Sequence, residues 1–162
     1  MKGVLVIVPC GQAKIWDREP THGPTAARDA YTGGPFRVNR RYAEKFGERW
    51  VILSAKYGFI YPDFLIPGPY NVTFKKPSTS TVSLAALKEQ VRKNRLDKFE
   101  VGVVLGGVEY QHVVEETFRS SSVRVLSPFA GLPIGRAMQA TIKATEANEP
   151  GIGLQDRLKR LR

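Results

Sequence analysis

The sequence predicts a single α/β domain, with a mostly parallel sheet of about four or five strands flanked by helices. Three observations predict it. Short, continuous, valine-rich apolar runs recur along the chain, as strands buried on both faces require. Amphipathic helical patterns lie between those runs. The length, 162 residues, suits one domain with little room for a second. A chain of this size buries roughly two thirds of its unfolded surface, so it needs neither disulfides nor metal to fold.

The first run is Val4 to Val8, bounded by Lys2-Gly3 and Pro9. It faintly resembles a signal peptide, but it is short and no small-residue cleavage site follows cleanly, so a strand is expected. Phe36, Asn39, Ala43 and Phe46 then share one face of a helix. Trp50-Val51-Ile52-Leu53 is the second strand. Leu84, Leu87 and Val91 mark the next helix, with Ser80 or Thr81 as N-cap. Val101 to Leu105 is the third strand. Tyr110, Val113, Val114, Thr117 and Phe118 follow at helical spacing. Val123-Arg124-Val125-Leu126 is less apolar and belongs nearer an edge. Ile134, Ala137, Met138, Thr141 and Ile142 form a last helical face, with Pro133 suited to its first turn. Alternating strands and helices give a Rossmann-like arrangement over residues 1–147. Residues 148–162 read as a basic tail or terminal helix after the Pro150–Gly153 break.

Composition narrows the partners. Lys plus Arg number 25 against 15 Asp plus Glu, a formal net charge of +10. Such a surplus favours polyanions, DNA or RNA among them, over a merely solvated basic surface. Arg37, Arg40, Arg41, Lys75 and Lys76 are the candidate nucleic-acid contacts. Arg157, Lys159, Arg160 and Arg162 add a basic end with nonspecific phosphate affinity. The single cysteine, Cys10, excludes an internal disulfide. With only His22 and His112 beside it, no closed zinc site is expected, and no cofactor is implied. No apolar run approaches the ~20 residues of a membrane span, so the expected location is cytoplasmic. Nothing indicates an oligomeric state.

Three loops carry the residues suited to chemistry, each at a strand exit, where ligands of parallel sheets sit. The first is Pro9 to Trp16. It offers Cys10, the turn glycine Gly11 and Lys14, an amine that can meet phosphate or attack an electrophilic carbon once burial lowers its pKa. Cys10 serves as a nucleophile only with a base nearby; otherwise it is a small residue at a tight turn. The second loop runs from Ser54 through Lys56, Tyr57, Gly58, Tyr61 and Asp63 to Tyr70. It is long, aromatic and irregular. Its tyrosines can stack on a base, Lys56 can meet phosphate, and Asp63 can act as acid, base or cation stabiliser. The alternative is that the aromatics pack over the sheet and Asp63 caps a turn. The third loop, Gly106-Gly107 before Tyr110, lets backbone approach a ligand at a helix N-terminus.

These loops bear two family resemblances. Leu53 to Tyr70, with Ser54, Tyr57-Gly58, Pro62, Asp63, Ile66 and Pro69-Tyr70, resembles the central motif of the YaaA peroxide-stress family, though the Pro67-Gly68 spacing departs from it. Pro9, Cys10 and Lys14 resemble the Pro-Cys-x-x-Lys-Pro-Tyr signature of the archaeosine synthase core domain. Here one extra residue precedes the lysine, Ile15-Trp16 replaces Pro-Tyr, and Thr21-His22 stands at the Ser/His offset. The whole, over about residues 4 to 145, looks most like short bacterial and phage proteins of unknown function that carry both motifs. YaaA proteins are implicated in DNA binding and in limiting oxidative damage; archaeosine synthase acts on a modified tRNA base. The resemblance implies a role for Lys14, with Cys10 and His22 near it.

The resulting expectation is a nucleic-acid-binding protein acting on a nucleobase by glycosidic cleavage, base exchange or base modification. Lys14, Asp63 and Cys10 are its candidate catalytic residues, and Lys14, Lys56, Tyr57 and Asp63 should converge on one cavity. A non-enzymatic DNA-binding stress protein and an enzyme of free nucleotides are the alternatives.

Overall fold

The computed structural model describes residues 1–76 and 79–151. In chain order its elements are β1 (Val4–Pro9), β2 (Thr25–Ala26), α1 (Ala27–Ala30), α2 (Gly34–Phe46), β3 (Arg49–Ser54), β4 (Gly58–Ile60), β5 (Leu65–Ile66), α3 (Leu84–Lys93), β6 (Val101–Val104), α4 (Val108–Phe118), β7 (Arg124–Leu126) and α5 (Ile134–Ala147). Single 3-10 turns occupy Ile15–Asp17 and Leu96–Lys98.

β1 lies at the centre of a five-stranded sheet of order β4-β3-β1-β6-β7. The strands β3, β1, β6 and β7 are parallel, and β4 is antiparallel to β3. Because strand side chains alternate, one apolar run serves two cores. Val4, Val6 and Val8 join the cluster beneath α2 and α5, while Leu5 and Ile7 join the one beneath α3 and α4. This two-sided burial is why the run is continuous rather than alternating. β7 is one edge of the sheet, as its weaker apolar content predicts, and none of its residues is fully buried.

The helices follow the predicted periodicity with some corrections. In α2, Phe36, Tyr42, Ala43 and Phe46 are buried, while Asn39 is half-buried. The Tyr42 hydroxyl donates to the Pro150 carbonyl, which pins the exit of α5 onto α2. The cap of α3 is Ser83, whose Oγ accepts from the Ala86 N–H at 3.1 Å. Ser80, an expected cap, instead turns the chain with φ of 65°. Pro133 stands just before α5 rather than inside it. Of the apolar face read for α5, only Thr141 is buried; Ala137 and Met138 are half-buried, Ile134 and Ile142 are exposed at 73% and 38%, and Ala144, outside that face, is buried.

The stretch after β3 is not the irregular loop the sequence suggested. It folds into β4 and β5, and β5 pairs with β2 in a small antiparallel ribbon. Gly58 makes this possible. Its φ of +76° suits glycine, and a Cβ there would meet Gln90 Oε1 at 2.2 Å. The Gln90 side chain accepts from the Phe59 N–H at 2.9 Å and donates to the Tyr57 carbonyl at 2.8 Å. A glutamine of α3 thus satisfies the backbone of a sheet edge. These strands are too short for a period to show.

The chain moves from β1 to β3 on one side, then returns to place β6 on the other side of β1. Right-handed crossovers accordingly put α2 on one face and α3 and α4 on the opposite face. The gap between the carboxyl ends of β1 and β6 is therefore the point where the winding reverses, and ligands of open α/β sheets bind there. Among the described residues no helix is long and apolar enough to cross a membrane. The basic residues Arg157, Lys159, Arg160 and Arg162 of the expected tail lie outside the described residues.

Candidate functional site

A cleft of about 1110 Å³ opens at that reversal point. Its floor is the exit of β1, Pro9 to Lys14, beside the exit of β6, Leu105 to Gly107. Gly106 takes φ of +112°, and a Cβ there would lie 2.8 Å from Pro9 Cγ. Only glycine lets these two exits approach so closely. The beginnings of α2, α4 and α5 also reach the cleft, and no side chain caps any of the three. Helix N-termini without side-chain caps favour negative charge nearby. Glu109 in the first turn of α4 offsets part of this, since its Oε2 folds back toward Gly107.

Lys14 is the most unusual residue of the cleft. It lines the cavity yet is only 9% exposed. A buried ammonium is costly unless paired. Lys14 Nζ donates to the Gln12 carbonyl at 3.2 Å, and no carboxylate among the described residues reaches salt-bridge distance. Aromatic faces supply the rest: Nζ lies 4.6 Å from the Tyr70 ring centroid and 6.0 Å from that of Tyr31. Burial pulls its pKa below the ordinary lysine value, while Cys10 and Asp17 act in the opposite direction. Asp17 is committed to the backbone, where its carboxylate accepts from the Lys14 N–H at 2.8 Å and starts the 3-10 turn.

Beneath Lys14 runs a chain of hydroxyls. Ser54 Oγ accepts from the backbone N–H groups of Lys56 (3.2 Å) and Tyr57 (3.1 Å). That leaves its own proton for the Tyr70 hydroxyl, 3.0 Å away. Tyr70 in turn meets the Tyr31 hydroxyl at 2.5 Å. Burial, with further contributions from neighbouring groups, raises the pKa of both tyrosines far above the ordinary phenol value. Both stay neutral, and one of the two donates to the other. Cys10 Sγ lies 3.3 Å from the Tyr110 hydroxyl, whose pKa burial also raises. No histidine supports the thiol: His22 sits in another loop, its Nδ1 2.9 Å from Thr25 Oγ1 and its carbonyl accepting from Trp16 Nε1 at 2.8 Å.

The structure therefore divides the expected site residues. Cys10, Gly11, Lys14, Gly106, Gly107 and Tyr110 line the cleft, and so do Lys75 and Lys76. Ser54 and Tyr70 stand directly behind it. Lys56 is exposed with its Nζ over Tyr57 (5.3 Å) and Tyr70 (5.7 Å), outside the lining. Tyr57 packs on Phe64 and Tyr70. Tyr61 packs against the core under α3 and α4, and Gly58 shapes the β3–β4 turn. Asp63 is exposed on the turn before β5, where Pro62 and Phe64 carbonyls accept from the start of α1. The expected convergence of Lys56, Tyr57 and Asp63 with Lys14 does not occur, because this segment spends its aromatics on packing. His22 and Asp63 lie outside the cleft lining, exposed in a loop and in a turn. On α2, Arg37 and Arg41 are exposed, whereas Arg40 is tied to Glu44, Asp29 and the Arg28 carbonyl.

Several site residues escaped the sequence reading. Tyr31 lies in none of the three loops. Asn39 was grouped with an apolar helix face. Glu109 stands in the third loop without an assigned role, and Pro128 to Pro133 reads only as a strand-exit turn parallel to that loop. Asn39, Glu109, Phe129 to Ile134, Ala137 and Met138 line the cleft, and Tyr31 does not.

Comparison with known proteins places the chain. It is 38% identical over 144 residues to the uncharacterized protein YfjM of Bacillus subtilis (strain 168), an alignment covering 88% of this chain and 95% of that one. A looser likeness, at 14% identity and a TM-score of 0.43, is to the crystal structure of AF0587, a protein of unknown function; it covers 87% of this chain and 43% of that one, so this chain spans less than half of its length. The model of the family of unknown function DUF6884 matches residues 5–142, and the chain belongs to that family.

Proposed function

We propose that the protein binds nucleic acid and acts on a nucleobase held in the cleft. The observation that carries this reading is Lys14, a buried amine without a carboxylate partner among the described residues, at the floor of a nucleotide-sized cleft. A protein retains so costly a group where its charge or its lone pair meets a ligand. The exposed Lys75 and Lys76 on the same cleft, and the +10 net charge, suit a phosphate backbone around the reacting base. The likeness of the first loop to archaeosine synthase and of the second to YaaA supports the same reading.

In this reading Lys14 is the nucleophile or the electrostatic partner of the base. Cys10 and Tyr110, joined by their hydrogen bond, are the groups able to donate a proton beside it. Tyr70, Tyr31 and Ser54 position the amine and do not touch the base. Asp63 takes no part. Base exchange, glycosidic cleavage and modification of the base in place remain the three reaction classes; all need an unpaired or flipped base.

The test is a screen of oligonucleotides with natural and modified bases, read by mass spectrometry for released base, abasic sites or altered mass. Lys14→Ala is expected to abolish product while leaving nucleic-acid affinity nearly intact. Binding without product for any substrate, with Lys14→Ala no different from Lys45→Ala, would instead establish a non-enzymatic binding protein.

A further inference from the structure

Three aliphatic side chains stand exposed at the mouth of the cleft: Val108 at 63%, Leu132 at 44% and Ile134 at 73%. Single exposed apolar residues need no explanation. All three line the cleft together with Phe129 and Met138, Leu132 and Ile134 on the α5 side and Val108 at the start of α4, so the mouth carries apolar surface. Nothing in the packing of α5 requires Ile134, because the helix buries residues only from Thr141 onward.

The opposing wall is basic. Phe74 packs edge-on against Tyr110 at 5.6 Å, which sets the Lys75-Lys76 loop beside α4. Met138 approaches Gly34, which sets the Leu132–Met138 segment beside α2. Since α2 and α4 cover opposite faces of the sheet, the basic and apolar walls flank the cleft from its two sides, with Val108 closing the rim at the α4 end.

From this arrangement we infer that the cleft takes an unpaired strand: one base enters toward Lys14, the next lies against Val108, Leu132 and Ile134, and their phosphates meet Lys75 and Lys76. The inference rests on the nucleobase reading above and names its substrate class. The physical reason is what each form of nucleic acid exposes. In a duplex the base faces are covered by their stacking neighbours, and only edges are presented in the grooves. An aliphatic lip has nothing to touch there unless a step is opened. An unpaired strand offers an apolar base face and an anion at each nucleotide, the same pairing of surfaces that this cleft presents.

Fluorescence anisotropy on the full chain tests this with a labelled 12-nucleotide single strand, the duplex of the same sequence and the corresponding mononucleotides, over a salt series. The single strand is expected to bind about tenfold or more tighter than the duplex. The Leu132→Ser/Ile134→Ser variant should lose most of that preference with its melting temperature unchanged. Lys75→Ala/Lys76→Ala should flatten the slope of log K against log salt by about 1.4 for the single strand, as two lost phosphate contacts require. Equal affinity for strand and duplex, or an unaltered preference in the lip variant, overturns the inference and leaves the nucleobase reading standing. Mononucleotides binding as tightly as the strand also overturn it. A lip variant that abolishes self-association in sedimentation, with affinity untouched, makes the lip a contact between copies and overturns it as well. Absence of nucleic-acid binding in every form removes the underlying reading itself.

Discussion

The exits of β1 and β3 are neighbours in the sheet and were equal candidates in the sequence, yet they have opposite physical characters. After β1 the chain keeps polar groups in an open cleft: Gln12 is exposed and Lys14 is buried against aromatic faces rather than a carboxylate. After β3 it satisfies itself. Ser54, Tyr70 and Tyr31 bond to one another, Gln90 completes the backbone, and Ile66 is fully buried. Tyr70 is where the two meet. Its hydroxyl belongs to the second region and its ring faces the Lys14 ammonium of the first. An aromatic-rich segment beside a site can thus be its scaffold.

The comparison breaks if changes in the second region fail to cost stability. Ile66→Ala is expected to destabilise by about 2–5 kcal/mol, the range for a buried aliphatic side chain cut to alanine. Urea unfolding reads it, and a loss under about 1 kcal/mol would mean that the β2–β5 ribbon is loosely held. Tyr31→Phe removes one member of the hydroxyl chain and leaves Tyr70 with Ser54 alone. A cost of about 1 kcal/mol is expected, by the same measurement.

Lys14→Met should act in the other direction. The folded pKa of Lys14 lies below its unfolded value, so the unfolded chain binds the extra proton between the two. The cost to the wild type is full below the folded pKa and fades as pH rises toward the ordinary lysine value of 10.5. The variant should therefore melt a few degrees higher at neutral pH, with the advantage shrinking in alkaline buffer. A melting curve that drops at neutral pH would show the amine to be structurally paired. The smallest effect belongs to Asp63→Asn, an exposed turn residue. It should shift stability by no more than about 0.5 kcal/mol and leave any activity found in the oligonucleotide screen intact. Loss of product there would return Asp63 to the site.

The legible part of the fold was the part built from burial on a repeating period. Valine-rich runs and i, i+3, i+4 faces located four parallel strands and four helices, since each must hide apolar surface on a known spacing. The strands β2, β4 and β5 were not legible. They have two or three residues each and are held by partners distant in the chain, such as Gln90 for β4. The site followed the same division. Cys10, Lys14 and the Gly106-Gly107 turn stood out because chemistry-bearing residues at strand exits are local features. Tyr31 did not, and Leu132 and Ile134 read only as part of a strand-exit turn and of a helix face, because neither composition nor spacing separates an exposed apolar rim from ordinary packing residues.

By itself, then, the sequence determined the layers, the edge position of the last strand, the basic surplus and the rim at which the chemistry-bearing loops leave the sheet. Those follow from periodicity, charge and the polarity of parallel strands, all properties of short segments. Only the tertiary structure decided which loop is open and which is filled. That choice depends on whether a side chain finds a partner from elsewhere in the chain: Asp63 stays in solvent, Tyr70 finds Tyr31 and Ser54, and Lys14 is left buried with an aromatic face and one carbonyl.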